Sequence, residues 1–204
     1  QDPNLTKPFY MCEYAHAMFN SMGSIGDYND IFDKYPSLMG GAIWEWEDQG
    51  IWNKRDPKRV FIAYGGGFGE VPNDHYFIHK GVVFSDRSPK PHYPEAKKAY
   101  QWIRFEPVDL AAGKVKIKNR YAFTNLKDFD GSWTLSEDGK VLQQGKLAPL
   151  DLAPGKDEVV TVPMKSIDAV PAREFFLRLS FTLPKDASWA KAGFEVAEEQ
   201  FRMP

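Results

Sequence analysis

Apolar positions fall in two styles along this chain. Up to about residue 104 they come in short blocks separated by polar loops; beyond it they alternate. Residues 8–16, PFYMCEYAH, read as a short buried strand ending in a turn rich in functional groups. Ile25, Tyr28, Ile31 and Phe32 then recur at helical spacing, with Asp27, Asp30, Asp33 and Lys34 between them, which predicts a helix. Tyr35-Pro36 ends it, because the residue before a proline is pushed to extended backbone. LMGGAIWEW, 38–46, reads as a second buried strand, with glycines where backbone must pack closely. Strand, helix and strand on short connections is the repeat of a parallel α/β fold.

Residues 47–93 show no periodicity and read as one long functional loop, ordered by its aromatic content. PEAKKAYQWI, 94–103, predicts a helix with proline at its start and an apolar stripe at Ala96, Ala99, Tyr100 and Ile103. After Arg104 come short alternating runs at 115–119, 132–137, 140–147, 158–163, 174–181 and 194–201. Asp138-Gly139 between two of them is a hairpin turn signal. Turn signals at this spacing fit a β-sandwich of immunoglobulin architecture, without the cysteine pair of an antibody domain. The fold class is therefore α/β plus all-β, with the boundary near 104–107 and no internal repeat.

Composition sharpens the division. Of the 30 aromatic residues, 19 precede Phe105, so the two parts have different tasks. Aromatic-rich stretches broken by Gly and Pro often line sugar sites, although a large aromatic core is the commoner origin. The net charge of -2 implies no general attraction to nucleic acid or to an anionic membrane. Cys12 is the single cysteine, so an internal disulfide framework and a cysteine-rich zinc site are excluded. No apolar run approaches the roughly 20 residues that span a bilayer.

Glu13 stands at the C-terminal end of the first predicted strand, where an α/β barrel carries its catalytic groups, with Tyr14 and His16 close behind. Alone, such a carboxylate is more often a solvated surface residue. Three blocks add to it. MCEYAHAMFNSMGSIGDY (11–28), PSLMGGAIWEWEDQG (36–50) and YGGGFGEVPNDHYFIHKGVVFSDRSPKPHYPEAKKAYQ (64–101) resemble, in order and spacing, the family 2 β-galactosidases of the large bacterial type. The resemblance implies that residues 1–104 are the C-terminal portion of a (β/α)8 TIM barrel. Residues 105–204 resemble, more diffusely, the immunoglobulin-like β-sandwich that follows it.

By that resemblance Glu13 is the nucleophile of a retaining glycosidase, and the acid/base carboxylate lies upstream of residue 1, so the chain alone is expected to be inactive. His16 resembles the histidine that hydrogen-bonds a galactose hydroxyl, and Trp44 the floor of the galactose subsite, while Trp46 is read as core. Phe77 resembles a loop phenylalanine whose main-chain oxygen helps bind an alkali cation, and Asn73 an asparagine near a second divalent cation. Ligands of a main Mg2+ site would lie upstream. Glu45 and Asp48 are expected to orient loops or to pair with Lys or Arg. Two residues depart from the pattern. Lys80 replaces an asparagine that contacts both sodium and sugar, which implies that its ammonium takes over the Na+ site and bonds the galactose O6. Phe19 replaces a glycine and needs room for a ring.

The implied partners are a β-galactoside substrate, the remaining domains of the parent enzyme and, as an open question, further copies of the chain; nucleic acid and membrane are not among them. The compartment stays open between the cytoplasm and periplasm of a bacterium. A rival reading from another class is a non-catalytic carbohydrate-binding or scaffolding β-sandwich module.

Overall fold

The structure, a computed structural model, describes residues 6–167 and 172–204. The chain divides between Tyr100 and Gln101 into two compact units. In the first, β1 (Phe9–Tyr14) and β2 (Leu38–Ile43) pair in parallel. Parallel neighbours need a crossover rather than a hairpin, and α1 (Ile25–Lys34) supplies it. The helix ends as its sequence requires, with Tyr35 extended (φ -118°, ψ 110°) before Pro36. Ile25 is its buried anchor. Gly41 lets the strands close up: a Cβ there would stand 2.8 Å from both the Met11 carbonyl oxygen and the Tyr14 ring. β3 (Ile51–Asn53) and β4 (Phe61–Ala63) form an antiparallel pair. A 3-10 turn (His75–Ile78) and α2 (His92–Tyr100) complete the unit. Asn29 of α1 donates from its Nδ2 to the Ala99 carbonyl of α2 at 2.9 Å.

Three expectations need correction here. The two strands expected to be buried are not: of β1 only Tyr14 is, and no residue of β2 is, because the two pair only with each other among the described residues. Trp46 is not core but 64% exposed, because β2 stops at Ile43 and the chain turns before Trp46, which meets Tyr93 edge-on at 6.4 Å. The stripe on the second helix is broken: Ala99 is buried, Tyr100 is exposed, and Ile103 belongs to the next strand.

The second unit is built of β5 (Ile103–Asp109), β6 (Lys114–Asn119), β7 (Asp130–Glu137), β8 (Lys140–Lys146), β9 (Asp157–Thr161), β10 (Phe175–Thr182) and β11 (Glu195–Arg202). Two antiparallel sheets result, in the orders β5-β6-β9 and β11-β10-β7-β8. Strict alternation drives this packing. In β6 Val115 and Ile117 point inward between lysines, and in β10 Leu177, Leu179 and Phe181 point inward with Arg178 and Ser180 between them. Both sheets share one core, in which the Phe105 and Phe181 rings lie 5.9 Å apart. Each fully buried side chain of this size contributes roughly 1.5–3 kcal/mol. The Asp138-Gly139 turn joins β7 to β8 with both φ angles positive, 46° and 83°, as a tight hairpin requires.

Candidate active site

Glu13 sits at a break in the β1–β2 register, where Cys12 pairs with Ala42 and Tyr14 with Ile43, so Glu13 itself has no partner across the sheet. Such an irregularity re-aims a side chain at a strand end. The Glu13 carboxylate meets His16 Nε2 at 2.5 Å, with both side chains partly open to solvent (34% and 39%). The turn that brings His16 back is tightly folded. Ala15, Phe19, Met22 and Ser24 all adopt left-handed backbone, with φ of 51°, 50°, 70° and 62°. Non-glycine residues held there cluster at functional sites. Ser21 Oγ donates to the His16 carbonyl oxygen, and the Met18 amide donates to Ser21 Oγ at 2.9 Å.

The backbone of Trp44 holds this turn from both sides. Its amide donates to the Tyr14 carbonyl at 3.2 Å, and its carbonyl accepts from the Ala17 amide at 3.1 Å. The next peptide is tied to Lys80: the Glu45 amide donates to the Lys80 carbonyl at 2.9 Å, and the Val82 amide to the Glu45 carbonyl at 2.8 Å. Glu13, His16, Trp44 and Lys80 thus lie on three backbone segments that are directly hydrogen-bonded to one another. The Lys80 ammonium is buried, 4.2 Å from the Phe77 ring centroid and 5.4 Å from that of Trp44.

Asp48 is the polar centre of the same region. Its Oδ1 accepts from the Gly81 amide at 2.7 Å and from Lys90 Nζ at 2.9 Å, and its Oδ2 lies 3.5 Å from His79 Nδ1. Lys90 also donates to the Ala17 carbonyl at 3.1 Å, next to His16. Both members of the ion pair are more than nine-tenths buried. Gly81 fits only because it has no side chain, since a Cβ there would fall 2.1 Å from the Asp48 amide nitrogen. His92, also buried, has an imidazole held below its ordinary basicity by desolvation and by the neighbouring Lys90 charge. A cavity of about 500 Å³ is lined by Asp48, Lys90, His92, Phe19, Tyr76 and Phe84 among others; Glu13 and His16 are not on its wall.

The family model for the TIM barrel domain of glycosyl hydrolases family 2 matches residues 1–105, just over half of the chain. The chain belongs to glycosyl hydrolase family 2. The model for domain 4 of beta-galactosidase matches residues 115–204. A beta-galactosidase of Priestia megaterium is 41% identical over 203 residues, 98% of this chain and 19% of that protein. Beta-galactosidase 2 of Enterobacter cloacae is 37% identical over 202 residues, 99% of this chain and 19% of its own length. A beta-galactosidase of Aeromonas hydrophila is 38% identical over 202 residues. The chain spans about a fifth of the length of these relatives.

Within this family 2 chain the candidate residues fall into two groups. Glu13, His16, Trp44 and Lys80 belong to the hydrogen-bonded segments just described. Asn73 and Phe77 lie on the loop that leads into Lys80, around a second cavity of about 440 Å³. Asn73 spends its amide on that loop: Nδ2 donates to the Glu70 carbonyl at 2.8 Å, and Oδ1 accepts from the His75 amide at 3.2 Å. Glu70 accepts from the Gly66 and Phe68 amides at 2.6 and 2.9 Å, and main-chain hydrogen bonds of this kind hold its carboxyl below the usual range. Among the described residues no three His, Cys, Asp or Glu side chains converge as metal ligands. No helix among them is long and apolar enough to cross a membrane.

Phe19 finds its room outside the core. Its ring is 74% exposed and packs edge-on against Tyr76 at 5.0 Å. Its φ of 50° is a conformation that glycine adopts freely. Asp48 pairs with a lysine as expected, but sequence reasoning missed the partner, Lys90. Its one signal is an ionisable residue clamped between Pro89 and Pro91, where the chain has little freedom. Glu45 is only half satisfied: Oε2 accepts from Gln49 at 2.9 Å, while Oε1 is buried without a partner.

Proposed function

We propose that this chain carries the nucleophile of a retaining β-galactosidase, and that its parent enzyme releases terminal β-D-galactosyl residues by double displacement. The observation that carries the reading is the Glu13–His16 pair, 2.5 Å apart at the end of β1, in a chain whose relatives are named beta-galactosidases. Glu13 attacks the anomeric carbon, the glycosidic C–O bond breaks, and a glycosyl ester forms on its carboxylate. A second carboxylate, about 5–5.5 Å from the first, protonates the leaving oxygen and then activates water. That acid/base is placed upstream of this chain, so the chain alone hydrolyses nothing. His16 holds the carboxylate and bonds a sugar hydroxyl. Trp44 offers an indole face to the C–H face of the ring.

Residues 1–104 are read as the last part of a (β/α)8 barrel and 105–204 as an immunoglobulin-like sandwich. Supporting the second assignment, strands one, two and five of that unit form one sheet, and three, four, six and seven the other, a seven-stranded division close to that of immunoglobulin domains. Lys80 supplies the positive charge of a bound sodium and bonds O6. Mg2+, with ligands mostly upstream, would serve the intact enzyme. The described residues do not form its shell, so no step is assigned to it.

The deciding experiment is intact mass after incubation with a 2-deoxy-2-fluoro-galactosyl trapping reagent, on the chain alone and on the chain complemented with the preceding part of its polypeptide. Labelling of Glu13 only in the complemented sample is expected. A folded, complemented sample without label demotes Glu13. One observation favours a second reading, a carbohydrate-binding module: Trp189 is 64% exposed and braced edge-on by Phe194 at 5.4 Å, an aromatic face open to a sugar. Retention on a galactan column that is lost in Trp189→Ala would support it.

A further inference from the structure

Two stretches of backbone beside the proposed sugar contacts are held from both sides, and one ion pair supplies a bond to each. The Lys80–Gly81 peptide accepts at its carbonyl from the Glu45 amide at 2.9 Å, and donates at its amide to Asp48 Oδ1 at 2.7 Å. Ala17, next to His16, donates its amide to the Trp44 carbonyl at 3.1 Å and accepts at its own carbonyl from Lys90 Nζ at 3.1 Å. Asp48 Oδ1 and Lys90 Nζ meet at 2.9 Å, and both residues are more than nine-tenths buried. The bond from Gly81 is therefore charge-assisted and shielded from water. Asp48 is itself anchored, its amide donating to the Val83 carbonyl and its carbonyl accepting from Ser85 Oγ, both at 3.0 Å. The bonds at the two ends of the Lys80–Gly81 peptide set its tilt. Lys80 reaches out from that peptide on a flexible four-carbon stem, so a small tilt at the root is a larger displacement at the ammonium.

From these bonds we infer that Asp48 is a positioning residue for recognition of the galactose C6 hydroxyl. It acts through the Gly81 amide, by holding the peptide from which Lys80 reaches the sugar. The inference rests on the galactosidase reading above, in which the Lys80 ammonium bonds O6. A site built to hydrogen-bond a hydroxyl rejects an analogue that lacks it, and that rejection depends on where the donor stands. Asp48 thereby governs selectivity rather than chemistry, since its carboxylate faces Gly81, Lys90 and His79.

The test compares kcat/KM of the complemented enzyme on 4-nitrophenyl β-D-galactopyranoside and on 4-nitrophenyl β-D-fucopyranoside, the same sugar without O6. The ratio of the two constants does not depend on how much enzyme is folded, so a merely structural role cannot move it. The wild type is expected to favour the galactoside. Asp48→Ala is expected to lower that ratio about tenfold, within the range of effects seen when a positioned group is displaced. Asp48→Asn, whose Oδ1 can still accept from the Gly81 amide, is expected to keep most of it. If Asp48→Ala does not fold around the unpaired Lys90 charge, the same comparison is made with Lys90→Met added to both variants. Equal loss on both substrates in Asp48→Ala, with the ratio unchanged, overturns the inference and leaves the galactosidase reading standing. A ratio lost as fully in Asp48→Asn as in Asp48→Ala also overturns it, because the Gly81 bond is then not the cause. A wild type that hydrolyses both substrates alike removes the contact of Lys80 with O6, and the inference with it. No hydrolysis of either substrate by a folded, complemented wild type overturns the galactosidase reading itself.

Discussion

The two units are stabilised by different means. Among the described residues the second encloses sixteen buried apolar residues in one core fed by two sheets. The core of the first gathers six, and that unit leaves Phe9, Tyr10, Met39, Trp46, Ile51 and Trp52 exposed. What the first unit has instead is a buried polar cluster, Asp48 with Lys90, His79 and Gly81, that ties four stretches of irregular chain together. A sandwich can be stabilised by alternation alone, since every second residue contributes to the core. A site assembled from loops needs directional bonds at chosen points, and these fix geometry more than they stabilise. The comparison teaches that the candidate chemistry sits in the unit with the smaller apolar core.

The largest expected effect tests that polar cluster. Lys90→Met leaves the Asp48 carboxylate buried and unpaired, and should destabilise the first unit by about 3–5 kcal/mol. Hydrogen exchange read by mass spectrometry separates the units, and protection should fall across 44–48 and 80–92 while β10 keeps its own. The double variant Asp48→Asn, Lys90→Met should recover part of the loss. If the single variant is as stable as the parent, the cluster is not what holds this unit.

The mirror experiment belongs to the second unit. Leu179→Ala empties a fully buried site between the sheets and should cost about 2–5 kcal/mol in denaturant melts. Exchange in residues 9–48 should not change. A loss shared equally by both units would show that they unfold as one, and the comparison would fail.

A smaller effect is expected at Phe19. Its left-handed backbone costs a residue with a Cβ roughly 1–2 kcal/mol, and the exposed ring returns little beyond its contact with Tyr76. Phe19→Gly should therefore raise the melting temperature of the first unit, with the second unchanged. A lower melting temperature would mean that the Phe19–Tyr76 contact outweighs the strain.

The same contrast explains what could be read from sequence. Alternation in 115–119 or 174–181 is a local signal, and β6 and β10 lie where it points. The apolar spacing of Ile25, Tyr28, Ile31 and Phe32 is equally local and gives α1. β5 was obscured because a helix pattern runs up to Ile103 and Pro107 lies inside the strand. An edge strand tolerates that proline, and β5 is the edge of its sheet. β3 and β4 are three residues each, too short for any period to show. The Asp48–Lys90 pair joins positions 42 apart in the sequence, which no periodicity can reveal. Glu13 was singled out by its place after a strand and by family resemblance, whereas the register break that isolates it is visible only in three dimensions.

The last prediction concerns acid. His92 is buried beside Lys90, and desolvation, then that charge, lowers its pKa in the folded state below the ordinary imidazole value of about 6.5. The unfolded chain therefore binds a proton that the folded chain refuses. Stability conferred by the neutral ring is complete above about pH 6.5 and is lost progressively as pH falls from there toward the folded value. In the second unit the shifted acids are Glu106, Asp138 and Asp186, each lowered by hydrogen bonds to lysine, arginine or main chain. Their contribution persists until pH falls below about 4. Acidification from pH 7 to about 5.5 should then raise exchange in the first unit and leave the second untouched. His92→Gln, neutral at every pH, should flatten that dependence. Equal loss in both units across this interval would remove His92 as the cause and leave the polar cluster without a pH signature.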